Sequence, residues 1–263
     1  AEAILGLVCE KEGNLEDAIK HYNNALKIVE KIGYRRRIGQ LYVNLGNAYT
    51  TKNKYKKAIF YLKNAIEVAK EIGDQKGEAK AEAIMGLVCE KKGDYDDAIK
   101  HHKNALDIVE RIGYRRRKGQ SYVNIANAHT SNKKYDDAIK CLKKAIKLAE
   151  EIEDRKGEAK AKAMLGIAYF GNQKFDNAIK CHESALKIVQ NINYQRREGY
   201  AFNNLGNDYA AKDDSSKAKD YYKQALKKFY DIKDIRGIGK TYYNIILLNK
   251  PHVSLQWLDD LKW

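Results

Sequence analysis

The chain has 263 residues, 44% of them hydrophobic and 32% charged, so it can bury a core and keep a solvated surface. A single proline, Pro251, argues against a loop-rich β fold, and no apolar run approaches the ~20 residues that span a bilayer. The formal net charge of +15 favours acidic partners: an acidic peptide, a nucleic acid or an anionic membrane surface.

Four cysteines are widely spaced and none forms a Cys-x-x-Cys pair: Cys9, Cys89, Cys141 and Cys181. This spacing gives no disulfide framework, and the chain shows no secretory signal, so we expect a reducing, cytoplasmic setting. The sequence begins at Ala1 within an apolar-periodic run, and we expect it to be a piece of a longer protein.

Small residues recur with a 40-residue period from one end of the chain to the other. The first series is Gly6, Gly46, Gly86, Ala126, Gly166 and Gly206. Two alanine series keep the same step: Ala18, Ala58, Ala98, Ala138, Ala178 and Ala218, and then Ala25, Ala65, Ala105, Ala145, Ala185 and Ala225. Six repeats and a partial seventh therefore account for the chain.

Each repeat is predicted to form two antiparallel helices. In the run Tyr42-x2-Leu45-Gly46-x2-Tyr49, large residues surround one small residue at helical spacing, and the alanines recur on one face of the second helix. Turn residues separate the helices, and Asn14 and Asp94 are predicted to cap the second helices of their repeats. The first helices are predicted to start near positions such as Arg35 and Gln75.

This pattern resembles the tetratricopeptide repeat, whose signature is W-x2-L-G-x2-Y followed by A-x3-F and a proline. The resemblance covers nearly the whole chain, but the closing proline is absent and each unit is six residues longer. Forty-residue units with linkers such as Gly73-Asp74-Gln75-Lys76-Gly77-Glu78 are similar to those of the Pins/LGN spindle-orientation adaptors. The resemblance implies an all-α fold, a right-handed superhelical solenoid of antiparallel helix pairs. Residues 1–250 would form six hairpins and the first helix of a seventh.

A second, 80-residue period overlies the first. The run Ile32-Gly33-Tyr34-Arg35-Arg36-Arg37 returns at 112–117 and, in weaker form, at 192–197, which indicates that a pair of hairpins was duplicated. After Pro251, residues 251–263 are predicted to form a short capping segment over the last hairpin. The alternative is an exposed hook for a partner or for self-association through Trp257 and Trp263.

In the tetratricopeptide family the first helices line a concave groove. The groove residues lie three before and one after the signature glycine, and further along the same stripe. Carried over to this sequence, the stripe gives the candidate partner-binding residues Arg36, Gln40, Asn47, Lys76, Lys80, Arg116, Gln120, Asn127, Lys156, Lys160, Arg196, Tyr200, Asn203, Asn207 and Arg236.

The first position of this stripe is basic in every repeat, from Arg36 to Arg236. A ligand with spaced carboxylates would relieve the repulsion within such a row, and the stripe also contains apolar positions such as Leu87 and Ile167. The sequence therefore predicts a scaffold or adaptor whose groove binds an acidic or mixed acidic-apolar peptide. A plainer interpretation leaves these cations solvated or paired with Glu78 and Glu158.

Two other functions stay open. The charge, together with Tyr34, Tyr114 and Tyr194 beside arginines in the linkers, is compatible with RNA binding, because exposed aromatic rings stack on bases. The chain is also compatible with a self-assembly arm of a larger signalling protein. No nucleophile motif or phosphate-binding glycine loop is present, so no enzyme activity and no cofactor are expected. His102 and His182 are predicted core residues rather than metal ligands.

Overall fold

The computed structural model describes residues 1–248, which form thirteen α-helices and no strand. Each hairpin joins one odd-numbered and one even-numbered helix. The odd-numbered, first helices are α1 (Glu2–Lys11), α3 (Arg35–Thr51), α5 (Gln75–Lys92), α7 (Arg115–Ser131), α9 (Arg155–Gly171), α11 (Gln195–Ala211) and α13 (Ile235–Leu248). The even-numbered, second helices are α2 (Leu15–Ile32), α4 (Tyr55–Glu71), α6 (Tyr95–Arg111), α8 (Tyr135–Glu151), α10 (Phe175–Asn191) and α12 (Ser215–Asp231).

The 40-residue period comes from two helices of similar length. Helices α3 and α4 have 17 residues each, and three-residue connections follow both of them. The predicted starts at Arg35 and Gln75 are confirmed. The second helix is as long as the first, so the six extra residues of each unit do not lie in the first helix alone.

Each connection contains one residue with left-handed backbone geometry, which replaces the missing proline as the helix stop. In the connection after α4, Gly73 has φ of 66°, and the Asp74 N–H donates to the Ala69 carbonyl at 2.8 Å. This bond closes the last turn in the manner of a Schellman motif. Asn53 takes the same place at φ 56° and Lys133 at φ 56°, where side chains cost about 1 kcal/mol more than glycine.

Side-chain caps start several helices, although not all the predicted ones. Asn14 accepts a hydrogen bond from the Asp17 N–H at 3.3 Å, which confirms that cap. The predicted Asp94 cap is wrong, because this carboxylate pairs with the Lys92 ammonium and accepts no bond from the first turn of α6. Asp74 is a cap that the prediction omitted, since it accepts from the Gly77 N–H at 3.0 Å.

The core of each hairpin contains a large side chain that faces a small residue, which is glycine everywhere except at Ala126. A Cβ atom on Gly46 would lie 2.6 Å from Leu62, and one on Gly86 would lie 2.4 Å from His102. The two predicted alanine series are buried alongside, with Ala58 fully enclosed. The small residues therefore allow the two helices of a hairpin to approach closely, as predicted.

The described chain divides into two compact units, Ala1–Leu148 and the residues from Ala149 on. In the first unit, α3 contacts α5 and α5 contacts α7, in addition to the contacts within hairpins. In the second unit, α9 contacts α11 and α11 contacts α13. Successive first helices thus share one face in each unit. The predicted capping segment 251–263 lies outside the described residues, and none of the described helices is long and apolar enough to cross a membrane.

Candidate partner-binding site

A pocket of about 570 Å³ lies in the first unit between α3, α4 and α5. Arg36 and Gln40 enter it from α3, and Lys76 and Lys80 enter it from the first turns of α5. All four side chains are exposed to solvent. The structure therefore brings four of the predicted groove residues, from two successive repeats, into one cavity.

The pocket has an excess of positive charge. Its lining contains three cations, Arg36, Lys76 and Lys80, and one carboxylate, Asp74. The Asp74 carboxylate is engaged in capping α5, where its Oδ1 accepts the Gly77 N–H at 3.0 Å. A ligand that brings further carboxylates would meet cations whose charge is only partly compensated.

Lys80 is exposed to solvent and yet surrounded by protein on several sides, as expected for a side chain in a concave surface. This partial burial lowers the pKa of its ammonium, the charge of Arg117 on α7 lowers it further, and Glu10 on α1 opposes the change. An anion bound beside Lys80 would stabilise the charged form of the lysine.

The linker tyrosine Tyr114 lies against two cations. The Lys76 ammonium and the Arg117 guanidinium each lie 6.0 Å from the centre of its ring. The ring is 41% exposed. Tyr114 therefore joins the basic residues of α5 to those of α7 and leaves part of an aromatic face open to solvent.

Further along the stripe, α5 presents Leu87, which is 40% exposed. Asn47 on α3 and Asn127 on α7 occupy the same register and are half-buried. The Asn47 Nδ2 donates to Glu10 Oε1 at 2.6 Å, and the Tyr22 hydroxyl donates to Glu10 Oε2 at 2.6 Å. Asn47 is therefore held by a polar network, while the buried Oδ1 of Asn127 has no hydrogen-bond partner among the described residues.

The second unit repeats this arrangement on α9. The Lys156 ammonium lies 5.8 Å from the ring centre of Tyr194, which is 38% exposed. Burial lowers the pKa of Lys160, and the charge of Arg197 lowers it further. Ile167 takes the place of Leu87 and is 36% exposed.

Arg196, in the basic column, is paired with a carboxylate. The Arg196 Nε lies 2.8 Å from Asp234 Oδ2, and Asp234 also accepts the Gly237 N–H that starts α13. Arg196 is thus tied to the cap of the next first helix. Arg116 and Arg236 are exposed at the starts of α7 and α13.

The plainer interpretation paired Glu78 and Glu158 with the basic column, and the structure shows both carboxylates beside other cations. Glu78 lies 3.9 Å from Lys70. Glu158 is paired with Arg155 at 3.0 Å and with Lys162 at 2.8 Å.

The prediction that Asn203 contacts a partner is wrong. Its side chain is 1% exposed and its Oδ1 accepts from Asn244 Nδ2 at 3.2 Å, so it faces α13 and is closed to a partner. Asn207 Oδ1 accepts from the Tyr222 hydroxyl and from Asn244 Nδ2, both at 2.8 Å. The equivalent residues Val43 and Val123 are 4% and 3% exposed, so position 203 is buried by helix packing, and Asn203 makes its hydrogen bond within that buried position.

Two further predicted residues, Tyr200 and Gln120, contact other side chains of this chain. Tyr200 packs edge-on against Phe229, with ring centres 4.9 Å apart. The Gln120 Nε2 donates to Asn124 Oδ1 at 2.6 Å on the same helix. Both side chains are only partly exposed and neither is charged, so they shape the groove without adding to its charge.

Sequence reasoning missed three residues of the site. The charges of Arg117 and Arg197 lower the pKa of Lys80 and Lys160 on the preceding first helices. The 80-residue recurrence of Arg-Arg at these positions was the signal that could have found them. Glu10 was missed as well, although Glu90 repeats it one 80-residue period later, where it lies 2.7 Å from His102 Nε2.

The two core histidines are where the sequence placed them. His102 and His182 are each 2% exposed and pack against Gly86 and Gly166. His182 Nδ1 lies 2.6 Å from Asp208 Oδ2, and burial raises the pKa of that carboxyl. No group of three or more histidine, cysteine or acidic residues in the described part of the chain is arranged to hold a metal ion.

A family model described as the tetratricopeptide repeat matches residues 1–71, 78–151 and 157–230, and a second model of the same description matches 123–189. The chain therefore belongs to the tetratricopeptide repeat family, a class of helical repeat that generally serves as a scaffold for protein interactions. A search of curated proteins found no match.

Several solved structures share the fold. BtubC (BKLC) from P. vanneervenii aligns with a TM-score of 0.73 and 20% identity over 83% of this chain and 92% of that one. A second structure is a signal transduction ATPase with numerous domains from Pyrococcus horikoshii, which has a tetratricopeptide repeat sensor. It aligns with a TM-score of 0.77 and 20% identity over 98% of this chain. This chain spans only 40% of that ATPase.

A Rap protein complexed with competence and sporulation factor gives a TM-score of 0.67 and 15% identity, over 94% of this chain and 73% of the Rap chain. At such identities the likeness to these structures shows a shared fold.

Proposed function

We propose that this chain is a non-catalytic adaptor whose first helices bind a peptide segment of a partner protein, and that this segment combines acidic and apolar residues. The observation that carries the proposal is the pocket between α3 and α5, where Arg36, Lys76 and Lys80 converge beside one engaged carboxylate. The 40-residue repeat subtype similar to the Pins/LGN adaptors and a cytoplasmic location belong to the same proposal.

Charge alone does not define the ligand. Leu87 is exposed on the same face of α5, two helical turns beyond Lys80, so the groove offers an apolar contact next to its basic one. An acidic side chain would reach the pocket while an apolar neighbour covers Leu87, and both contacts contribute to affinity. The Rap protein crystallised with competence and sporulation factor is a precedent for ligand binding on this fold.

A nucleic acid is the second candidate, and one observation favours it. Tyr114 and Tyr194 are exposed rings with lysines beside them, an arrangement that also suits a stacked base next to a phosphate. The apolar residue Leu87 in the groove, however, has no counterpart in a phosphate backbone. Self-association through Trp257 and Trp263 rests on residues outside the described part of the chain.

The test is a comparative pull-down from a lysate, at physiological salt and with nuclease added. It uses the parent chain and two variants, each of which lowers the formal net charge by eight. The groove variant is K76E/K80E/K156E/K160E. The outer variant, built from exposed lysines on second helices, is K20E/K100E/K187E/K223E.

We expect discrete proteins to be retained by the parent chain and the outer variant and lost from the groove variant. Equal loss from both variants would show that only the overall charge matters. Retention by all three baits would place the binding surface elsewhere. If material is retained only when nuclease is omitted, the nucleic-acid candidate replaces the peptide. Circular dichroism of each bait confirms that the substitutions leave the helices intact.

A further inference from the structure

The 80-residue duplication reproduces one set of side chains twice. The first set consists of Lys76, Lys80, Tyr114 and Arg117, and lies within the unit Ala1–Leu148. The second set consists of Lys156, Lys160, Tyr194 and Arg197, and lies within the unit that starts at Ala149. We call these the first and second lysine–tyrosine sites.

The two sites agree in their contacts as well as in their residue types. The ammonium-to-ring distance is 6.0 Å for Lys76 and Tyr114 and 5.8 Å for Lys156 and Tyr194. In each site the second lysine is partly buried beside an arginine of the next first helix, which lowers the pKa of that lysine. These contacts arise separately in the two units, so they reflect the repeated sequence.

An apolar contact accompanies each site. Leu87 follows Lys80 by seven residues and Ile167 follows Lys160 by seven residues, and both side chains are partly exposed. Seven residues of helix correspond to roughly 10 Å. An extended peptide advances ~3.3 Å per residue, so a ligand that contacts both would carry its acidic and apolar residues about three positions apart.

The intervening repeats do not form such a site. In the linkers before α5 and α9, the position of Tyr114 is occupied by aspartates, Asp74 and Asp154. Those aspartates cap α5 and α9. The position of Lys80 is glutamine at Gln40 and Gln120. A lysine pair and a following tyrosine therefore coincide only once in each 80-residue period.

We propose that the chain has two equivalent binding sites for the same acidic-apolar peptide motif, one in each unit. This inference rests on the proposed function and gives it a stoichiometry of two motifs per chain. Such a receptor suits a partner that presents the motif more than once, because a second motif on the same partner binds at a raised effective concentration.

The test uses a defined probe: a peptide of about twelve residues selected on the parent chain from a random phage-displayed library. The synthetic peptide is titrated by isothermal calorimetry into the parent chain, into K76E/K80E, into K156E/K160E and into the groove variant. We expect two equivalents for the parent, one for each half variant and none for the groove variant. The outer variant, which keeps both sites, is expected to bind two.

A single equivalent on the parent, lost from one half variant and kept by the other, would overturn the second site and leave the proposed function intact. Selected peptides without acidic residues, or peptides that bind the groove variant like the parent, would contradict the proposed function and the two-site inference together. Failure to select any peptide would also count against both.

Discussion

At the scale of single residues, the hairpins depend on contacts between a glycine and one large side chain. His102 lies over Gly86 and Tyr22 lies over Gly6, in places where even one added carbon would lie 2.5 Å or less from the facing ring. The large residue varies among leucine, tyrosine and histidine, whereas the small residue opposite changes only from glycine to alanine, at Ala126. The close approach of the two backbones therefore restricts the sequence more than the identity of the filling side chain does.

Gly86→Ala is expected to destabilise the chain by about 1–3 kcal/mol, because the new Cβ would lie 2.4 Å from the His102 ring. Thermal unfolding followed by circular dichroism measures the change. The control is Gly119→Ala on α7, where the nearest atom, on Leu148, is at an ordinary 3.7 Å. Because alanine favours helix over glycine, the control is expected to gain about 0.5–1 kcal/mol. Equal destabilisation by both substitutions would refute the packing argument.

His129 on α7 is a second residue whose surroundings make a prediction. Its Nδ1 is buried without a hydrogen-bond partner among residues 1–248, and burial lowers its pKa from the usual 6.5. The unfolded chain then binds the proton more readily than the folded one, so this residue's contribution to stability is present above pH 6.5 and is lost as the pH falls towards the folded pKa.

His129→Tyr, which introduces the residue found at the equivalent positions Tyr49, Tyr169 and Tyr209, removes this proton uptake. The free energy of unfolding is measured by urea titration at about pH 8 and about pH 5.5. We expect the loss on acidification to be smaller in the variant than in the parent. An unchanged or larger loss would show that His129 titrates alike in the folded and unfolded chains.

At the scale of helices, the local rules of capping explain the linker motif Gly-Asp-x-x-Gly. Gly73 takes the left-handed geometry, Asp74 caps α5, and Gly77 leaves room for the cap because a Cβ there would lie 2.8 Å from Asp74 Oδ2. The same residues shape the rim of the basic pocket. The motif therefore fixes the start of the helix that carries Lys76 and Lys80.

Asp74→Ala is expected to cost about 1 kcal/mol, because the substitution removes the bond to the Gly77 N–H. The matched control is Asp94→Ala, which removes an aspartate from the same kind of position without a cap bond to lose. The control is expected to stay within about 0.5 kcal/mol of the parent. Chemical denaturation measures the free energy of unfolding of the parent and both variants. A larger loss of stability for Asp94→Ala than for Asp74→Ala would contradict the assignment of the caps.

Much of this helical pattern could be predicted from sequence, and the exceptions have physical reasons. Periodic small residues predict the hairpins because close helix contacts leave no alternative to glycine and alanine. The missing cap bond at Asp94 could not be predicted, because the choice between the backbone of α6 and the Lys92 ammonium depends on side-chain position. The hydrogen bond of Asn203 depends in the same way on a partner, Asn244, that lies far along the sequence on another helix.

At the scale of the whole molecule, binding and stability are expected to oppose each other in the groove. Lys80 is partly buried and also lies near Arg117, and both effects lower the pKa of its ammonium, so its positive charge is disfavoured in the folded chain until an anion binds. Lys80→Gln, which copies Gln40 and Gln120, is expected to raise the unfolding temperature by roughly 1–2 °C and to weaken peptide binding. Because salt screens the repulsion, the stabilisation is expected to shrink in about 0.5 M NaCl. A loss of stability on this substitution would contradict the repulsion.

The central claim is that groove lysines contact carboxylates of a peptide, and an exchange of charges tests it most directly. Fluorescence anisotropy would measure the affinity of two peptides for the parent chain and for the groove variant. One is the selected acidic peptide, and the other is a copy with lysine in place of its acidic residues. We predict that the acidic peptide binds the parent at least about tenfold more tightly than the groove variant, that the lysine peptide prefers the groove variant, and that the outer variant behaves like the parent. Equal binding of the acidic peptide to the parent chain and the groove variant would contradict the account.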